Sequence, residues 1–171
     1  MRASGSGALL VTHDQLEALS IADQVGVMRR GRLVQVADPL TLYRKPLDVE
    51  LARFVGEAVL VPGSIETGHI QCALGRLALD NRDMADGPGT AMLRPEQLVL
   101  NGDPGGVSAR VESITFHGHD ALVRLALSAC GGVDIVARVA GYALPSLGQR
   151  VTVGVSGPVV AFAGSADDDL A

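Results

Sequence analysis

The sequence contains few aromatic residues and few cysteines. Its 171 residues include no tryptophan, two tyrosines and three phenylalanines. The two cysteines, Cys72 and Cys130, are isolated and lack CxxC spacing, which argues against a disulfide framework and against a cysteine-rich zinc site. We expect both to be reduced, buried thiols. The core must therefore consist mainly of Val, Leu, Ile and Ala, since apolar residue types make up 47% of the chain.

Long apolar runs and an excess of basic charge are also missing. No run approaches the roughly 18 apolar residues of a membrane-spanning helix, so any membrane association would need a partner. The net charge of −5 is uneven, because residues 1–56 carry +1 and residues 57–171 carry −6. An acidic region with few aromatic residues argues against nucleic-acid binding, which needs basic and stacking side chains.

The first part of the chain combines short helices with strands. Residues 8–11 form an apolar run that predicts a strand buried on both faces. Thr12 or Asp14 can cap the helix that follows. Two β-rich runs on either side of Gly31 then predict a hairpin.

The residue pattern of the sequence changes after Gly56, from helix signals to strand signals. Before it, Asp38 and Asp48 have the positions of N-caps of two more helices, and Gly56 is placed to end the second one. After it, short β-branched runs recur between Gly, Pro, Asn and Asp residues, which predicts a compact β-barrel or sandwich over residues 57–171. Residues 165–171 are expected to form a frayed acidic tail.

Several motifs together resemble a known family. The segments LLVTHDQLEAL, ADQVGVMRRGRLVQVADPLTLYRKP and ELARFVGEAVLVPG are similar to the end of an ABC-transporter nucleotide-binding subunit. MLRPEQLVL and SITFHGHDALVRLAL resemble the regulatory β domain, often called TOBE, that importers of the sugar, polyamine, sulfate and ferric-ion group append to that subunit. GEAVLVPG favours the ferric-iron-like branch.

The resemblance implies a fold and a domain organisation. The fold would be mainly β with a small α/β remnant. Residues 1–56 would be the C-terminal remnant of the nucleotide-binding domain, with its last strand, hairpin and two short helices. Residues 57–171 would be an OB-like TOBE β-barrel. The chain would be the C-terminal regulatory and dimerising part of an importer ATPase, which couples ATP hydrolysis to solute uptake, with ferric ion as the candidate solute.

The resemblance also assigns a role to His13. In the family, the histidine of the THD motif is the H-loop residue that contacts the γ-phosphate of ATP. Without the surrounding motifs, His13 would be an ordinary polar residue at a helix start. The sequence has no GxxxxGK(S/T) loop, no signature segment and no apolar strand ending in Asp-Glu, and Lys45 is its only lysine. ATP and Mg²⁺ are therefore expected only in the intact subunit, and this chain alone should not hydrolyse ATP, because members of a catalytic set act as a unit.

Partners and location follow from the same resemblance. It implies a homodimer that binds membrane permease subunits, located in the cytoplasm and peripheral on the inner face of the cell membrane. Independently of the family, an apolar edge strand tends to pair with another chain. We therefore expect dimerisation or strand exchange that involves residues 8–36. No nucleic-acid partner is expected.

Two charged motifs in the second part, with Arg94 and Glu96 in one and His117 and His119 in the other, are candidates for a regulatory or interface site. In LRPEQ, Arg94 and Glu96 would serve barrel closure, subunit contacts or ligand sensing in the resembling family, or form a surface ion pair of little energetic value. In FHGHD, His117 and His119 lie two residues apart, which suggests a metal site. Two imidazoles are too few for zinc, and ferric iron would need more oxygen ligands. A turn in which Gly118 permits unusual backbone geometry is the better interpretation, so we expect no metal.

A second function class is a stand-alone module that binds a small oxyanion such as molybdate. Related small barrels bind such anions through backbone N–H groups and hydroxyls. The available hydroxyl groups are those of Ser64, Thr67, Ser108 and Ser113, without a dense Ser/Thr/Lys cluster.

Overall fold

The computed structural model describes residues 7–102, 105–128 and 133–164. Cys130 and the predicted tail at 165–171 lie outside these ranges. The chain divides into two compact units, Met1–Leu47 and Asp48–Ala171. The predicted domain boundary after Gly56 therefore does not coincide with the division between the units.

The first unit consists of short helices around a hairpin. In chain order, its elements are helix α1 (Gln15–Ile21), strand β1 (Val25–Arg29), strand β2 (Arg32–Ala37) and helix α2 (Pro39–Arg44). Asp14 and Asp38 cap the two helices, since each carboxylate accepts a backbone N–H bond of 3.0 Å from the first turn. The side chain of Gln35 ties β2 to the segment after α2, because it donates to the Lys45 carbonyl at 3.0 Å and accepts from the Leu47 N–H at 2.8 Å. The predicted hairpin and helices are confirmed.

The predicted strand at residues 8–11 is wrong. These residues are irregular, and Leu9 and Val11 are 93% and 88% exposed. A strand needs a neighbour to accept and donate its backbone hydrogen bonds. Within the described part of the first unit, the only sheet is the β1–β2 pair, and the 8–11 segment is not hydrogen-bonded into it. The apolar composition of residues 8–11 was therefore not sufficient to form a strand.

The second unit is a β domain that begins with one helix. Asp48 caps this helix, because its carboxylate accepts from the Leu51 N–H at 2.8 Å. The elements are α3 (Val49–Val55), β3 (Val59–Glu66), β4 (His69–Cys72), β5 (Gly75–Ala78), β6 (Gly87–Leu93), a 3-10 turn (Pro95–Gln97), β7 (Leu98–Leu100), β8 (Val107–Phe116), β9 (Asp120–Leu127), β10 (Asp134–Ala140), β11 (Arg150–Val155) and β12 (Val160–Ala163).

The ten strands within the described ranges of this unit form two five-stranded sheets. One has the order β12–β6–β3–β4–β5 and the other the order β10–β9–β8–β11–β7. All the paired strands are antiparallel, and one isolated parallel bridge joins Leu79 to Val159. The mainly β fold predicted for this part of the chain is confirmed.

The core of the second unit lies between these sheets and is aliphatic. Strand β9 illustrates the pattern, because Ala121, Val123, Leu125 and Leu127 are buried while the residues between them are less so. Burying one such Val or Leu side chain stabilises the fold by about 1.5–3 kcal/mol. No aromatic residue of the described ranges is among the buried core residues. The scarcity of aromatic residues in the sequence had predicted such a core.

The helices are short throughout the described ranges. None of them has the length and hydropathy that crossing a membrane requires.

Candidate functional site

His13 lies at the start of α1 in the first unit. It is exposed and directly precedes the N-cap residue Asp14. The backbone on either side is held by local bonds, since the Asp14 N–H donates to the Thr12 hydroxyl at 3.0 Å and the Asp14 carboxylate accepts from Glu17. The imidazole is therefore presented to solvent at a defined position. The other predicted site residues belong to the second compact unit.

Arg94 is buried at the junction between α3 and the β domain. It follows β6 directly and is 3% exposed. Its Nη1 donates to the carbonyl oxygens of Ala52, Gly56 and Glu57 at 2.9, 3.1 and 2.8 Å. The last carbonyls of a helix lack intrahelical donors, and an arginine near the C-terminus can satisfy them. Arg94 is therefore a buried donor to the carbonyls at the end of α3.

The segment after Arg94 forms a turn that fixes its backbone. The Gln97 side chain accepts from the Arg94 N–H at 2.9 Å and donates to the carbonyls of Ser156 and Pro158 at 3.3 and 3.1 Å. Arg94 is thereby held at its backbone and at its guanidinium. Glu96, the other predicted residue of this motif, is exposed on the turn.

A second arginine reaches the same junction from β10. Arg138 Nη2 donates to Glu57 Oε2 at 2.9 Å, and Nη1 donates to Asp120 Oδ2 at 2.5 Å. The hydrogen bond from Arg138 lowers the pKa of Asp120 below its usual range, and the same bond raises the pKa of Arg138. Glu57 is therefore bound twice, through its carbonyl by Arg94 and through its carboxylate by Arg138.

His117 and His119 lie in the turn between β8 and β9. Gly118 has φ +88°, and the His117 N–H donates to the Asp120 carbonyl at 2.8 Å, so the predicted turn around this glycine is confirmed. His117 Nδ1 and His119 Nε2 each lie 3.6 Å from a carboxylate oxygen of Asp120. Among the described residues, no three His, Cys, Asp or Glu side chains are grouped as metal ligands.

The hydroxyl residues of the oxyanion hypothesis are dispersed. Ser64 lies on β3, whereas Ser108 and Ser113 lie on β8 in the other sheet. The Thr67 N–H donates to the Asp86 carboxylate at 2.7 Å. A carboxylate at that position disfavours a bound anion.

Sequence reasoning missed Glu57 and Arg138. Asp120 was within the FHGHD motif, but its partner could be found only from the strand register. That register places Leu122 opposite Arg138 and Asp120 opposite Ala140, so Arg138 and Asp120 are diagonal neighbours on adjacent strands.

Comparisons with known proteins first define the class of the second unit. Residues 91–161 match the family described as the TOBE domain. The fold is similar to a crystal structure of the cytoplasmic molybdate-binding protein ModG with molybdate bound, with a TM-score of 0.50 and 18% identity over 60% of this chain and 94% of that chain. At this identity the similarity shows the fold alone. The second unit is an OB-like TOBE β domain.

Curated proteins are similar to almost the whole chain, not only to the second unit. Proteins described as "Fe(3+) ions import ATP-binding protein FbpC" are 42% identical in Pseudomonas fluorescens strain Pf0-1 (94% of this chain, 47% of the relative) and 42% identical in Serratia marcescens (92% and 46%). The relative described as FbpC 1 in Rhodococcus jostii is 38% identical over 90% of this chain and 45% of its own length. The chain thus spans about half the length of the curated relatives it matches. Together, the TOBE match and these relatives support the C-terminal part of an ABC-importer ATP-binding subunit of the ferric-iron branch. The predicted family and branch are confirmed.

Proposed function

We propose that the chain is the regulatory and dimerising C-terminal part of an ATPase subunit that couples ATP hydrolysis to the import of ferric ion. The observation that carries this proposal is the 42% identity, over 94% of the chain, to a relative named for Fe(3+) import and ATP binding. The TOBE match over residues 91–161 supports the regulatory assignment.

In the intact subunit, His13 would contact ATP. An imidazole can donate a hydrogen bond to the γ-phosphate and orient the attacking water, and phosphoryl transfer depends largely on such positioning and charge stabilisation. The exposed position of His13 at the start of α1 supports this role. Because the sequence has no phosphate-binding loop and no strand ending in Asp-Glu, ATP and Mg²⁺ would be held by other parts of the intact subunit.

The partners are proposed on the same basis. The intact subunit would form a homodimer and bind membrane permease subunits, which places it in the cytoplasm at the inner face of the cell membrane. The names of the relatives as import proteins support a permease partner. The charge of −6 on residues 57–171 argues against nucleic acid.

A chimaeric importer tests the proposal. This chain would replace the matching C-terminal part of the Pseudomonas fluorescens relative, expressed with that organism's permease. We expect ATP hydrolysis and ferric uptake, and a loss of about 100-fold or more in hydrolysis for His13→Ala, the size seen when a transition-state hydrogen bond is removed. His69→Ala, in β4, is the matched control and should behave as the unsubstituted chimaera. Full hydrolysis by His13→Ala would contradict the proposed role of His13.

The oxyanion alternative is tested on the chain itself. A ligand that binds only the native state must raise its melting temperature. We expect no shift with molybdate, tungstate, sulfate or phosphate. A saturable shift with any of these anions would favour the alternative.

A further inference from the structure

Two arginines that are distant in sequence converge on one short segment, Gly56–Glu57. Arg94 binds both carbonyls of this segment and the carbonyl of Ala52 within α3. Arg138 binds the Glu57 carboxylate from β10, 81 residues away along the chain. The segment that joins α3 to β3 is thus held by its backbone and by its side chain.

Helix α3 also contacts the β domain through one apolar residue, Ala52. Its buried residues are Val49, Leu51, Ala52 and Val55. Ala52 forms a small apolar cluster with Met92 of β6 and Val160 of β12. The helix therefore has an apolar contact with the β domain at Ala52 and a charged donor at its C-terminal end.

We propose that Arg94 is a positioning residue that, with Arg138, makes α3 and the TOBE domain one rigid body. When the domain moves, α3 then moves with it, because the connecting segment Gly56–Glu57 does not bend. This inference rests on the proposed function, because it makes α3 the element through which the regulatory domain acts on the rest of an ATPase subunit. Helix α3 accordingly belongs to the regulatory unit and not to the nucleotide-binding remnant.

The chemistry of the guanidinium suits this task. Arginine stays charged and offers several N–H donors in a planar arrangement. The carbonyls at a helix C-terminus carry partial negative charge, so bonds from a cation are charge-assisted. All three carbonyls surround the single nitrogen Nη1, and a lysine side chain is one bond shorter, so its ammonium would fall short of that position. A methionine would fill part of the space without donating any bond.

Hydrogen exchange on this chain tests the rigid junction. In Arg94→Met, we expect the amides of α3 and of residues 56–58 to exchange about tenfold faster or more, because several charge-assisted bonds are lost. The amides of β8 and β9 should keep their rates. Arg110→Met, at a solvent-exposed arginine, is the matched control and should change neither region. Arg138→Met, at a partly exposed position that tolerates substitution better, should loosen residues 56–58 to a smaller extent.

Two outcomes of the exchange experiment would overturn the inference. One is unchanged exchange in α3 when Arg94 is methionine. The other is an equal acceleration in α3, β8 and β9, which would mean that Arg94 supports only the overall stability of the domain.

The chimaeric importer tests the functional consequence. We expect Arg94→Met to keep ATP hydrolysis within about twofold while ferric uptake per ATP falls about tenfold, and Arg94→Lys to restore part of the uptake. Unchanged uptake per ATP in a variant whose α3 has loosened would refute the coupling role. Inactivity of the unsubstituted chimaera would instead count against the proposed function, while the exchange results would still decide whether the junction is rigid.

Discussion

Strand β3 approaches its neighbour β4 closely at Gly63, and the substitution Gly63→Ala probes this approach. Gly63 is paired with Cys72 on one side and with Gly89 on the other. A Cβ atom at Gly63 would lie 2.5 Å from the carbonyl oxygen of Gln71, 2.9 Å from Cγ1 of Ile70 and 3.0 Å from Cβ of Cys72. The first of these contacts is with backbone, which cannot rotate away. The strands must therefore separate locally to admit the methyl group.

The expected cost of Gly63→Ala is the difference of two effects. Overpacking of this kind destabilises a fold by about 1–3 kcal/mol. Replacing glycine by alanine also reduces the freedom of the unfolded chain, which stabilises the fold by about 0.4–1 kcal/mol. We therefore expect the free energy of unfolding to fall by about 1–2 kcal/mol.

Urea unfolding followed by far-UV circular dichroism is the suitable assay, because the chain has no tryptophan to report by fluorescence. The matched control is Gly7→Ala, since a Cβ at Gly7 would meet no atom within 4 Å. The control should stay within about 0.5 kcal/mol of the unsubstituted chain. If Gly63→Ala is as stable as Gly7→Ala, the close approach of β3 and β4 is not a constraint and the reasoning fails.

Other predictions concern a carboxylate, a core residue and association. The hydrogen bond from Arg138 lowers the pKa of Asp120, so the stabilisation by this carboxylate is present above the ordinary Asp range and is lost as the pH falls through the lowered pKa. Melting temperatures should therefore fall less steeply with acid in Asp120→Asn. Leu125→Ala removes a 0% exposed side chain and should lower the free energy of unfolding by about 2–5 kcal/mol in urea. Residues 8–11 are not a strand, but Leu9 is 93% exposed, so Leu9→Asp should weaken the predicted dimerisation through residues 8–36, measured by light scattering.

Each of these predictions has a contradicting result. Parallel acid profiles for Asp120→Asn and the unsubstituted chain would refute the effect of the carboxylate. For the core, Leu147→Ala at a 71% exposed position is the control, and an equal cost at both leucines would be inconsistent with a specific cavity. A monodisperse monomer whose residues 8–36 are protected from exchange would remove the dimerisation prediction.

Local features of the fold were predicted well from sequence. Asp14, Asp38 and Asp48 all cap helices as expected, because an N-cap depends only on its own side chain and the next three residues. The turn at Gly118 and the hairpin at Gly31 followed from the same short-range chemistry.

Features that depend on distant residues were predicted poorly. The prediction of a strand at residues 8–11 was wrong because an extended apolar run becomes a strand only when another strand pairs with it. Arg94 was identified as a candidate, but its burial and its bonds to α3 could not be read from a motif, since the acceptors lie 37 to 42 residues away. The contact of Arg138 with Glu57 required both the register of β10 and the path of the chain after α3.

The sequence by itself determined the helix caps, the turns, the mainly β character of the second unit and, through its motifs, the family. These properties depend on neighbouring residues or on residue order, which the sequence contains directly. Only the tertiary structure placed α3 in one compact unit with the β domain and brought Arg94 and Arg138 to the segment that follows α3. Those contacts exist because two arginines from distant strands, Arg94 after β6 and Arg138 on β10, meet at the Gly56–Glu57 segment. No short stretch of the sequence shows that these residues come together.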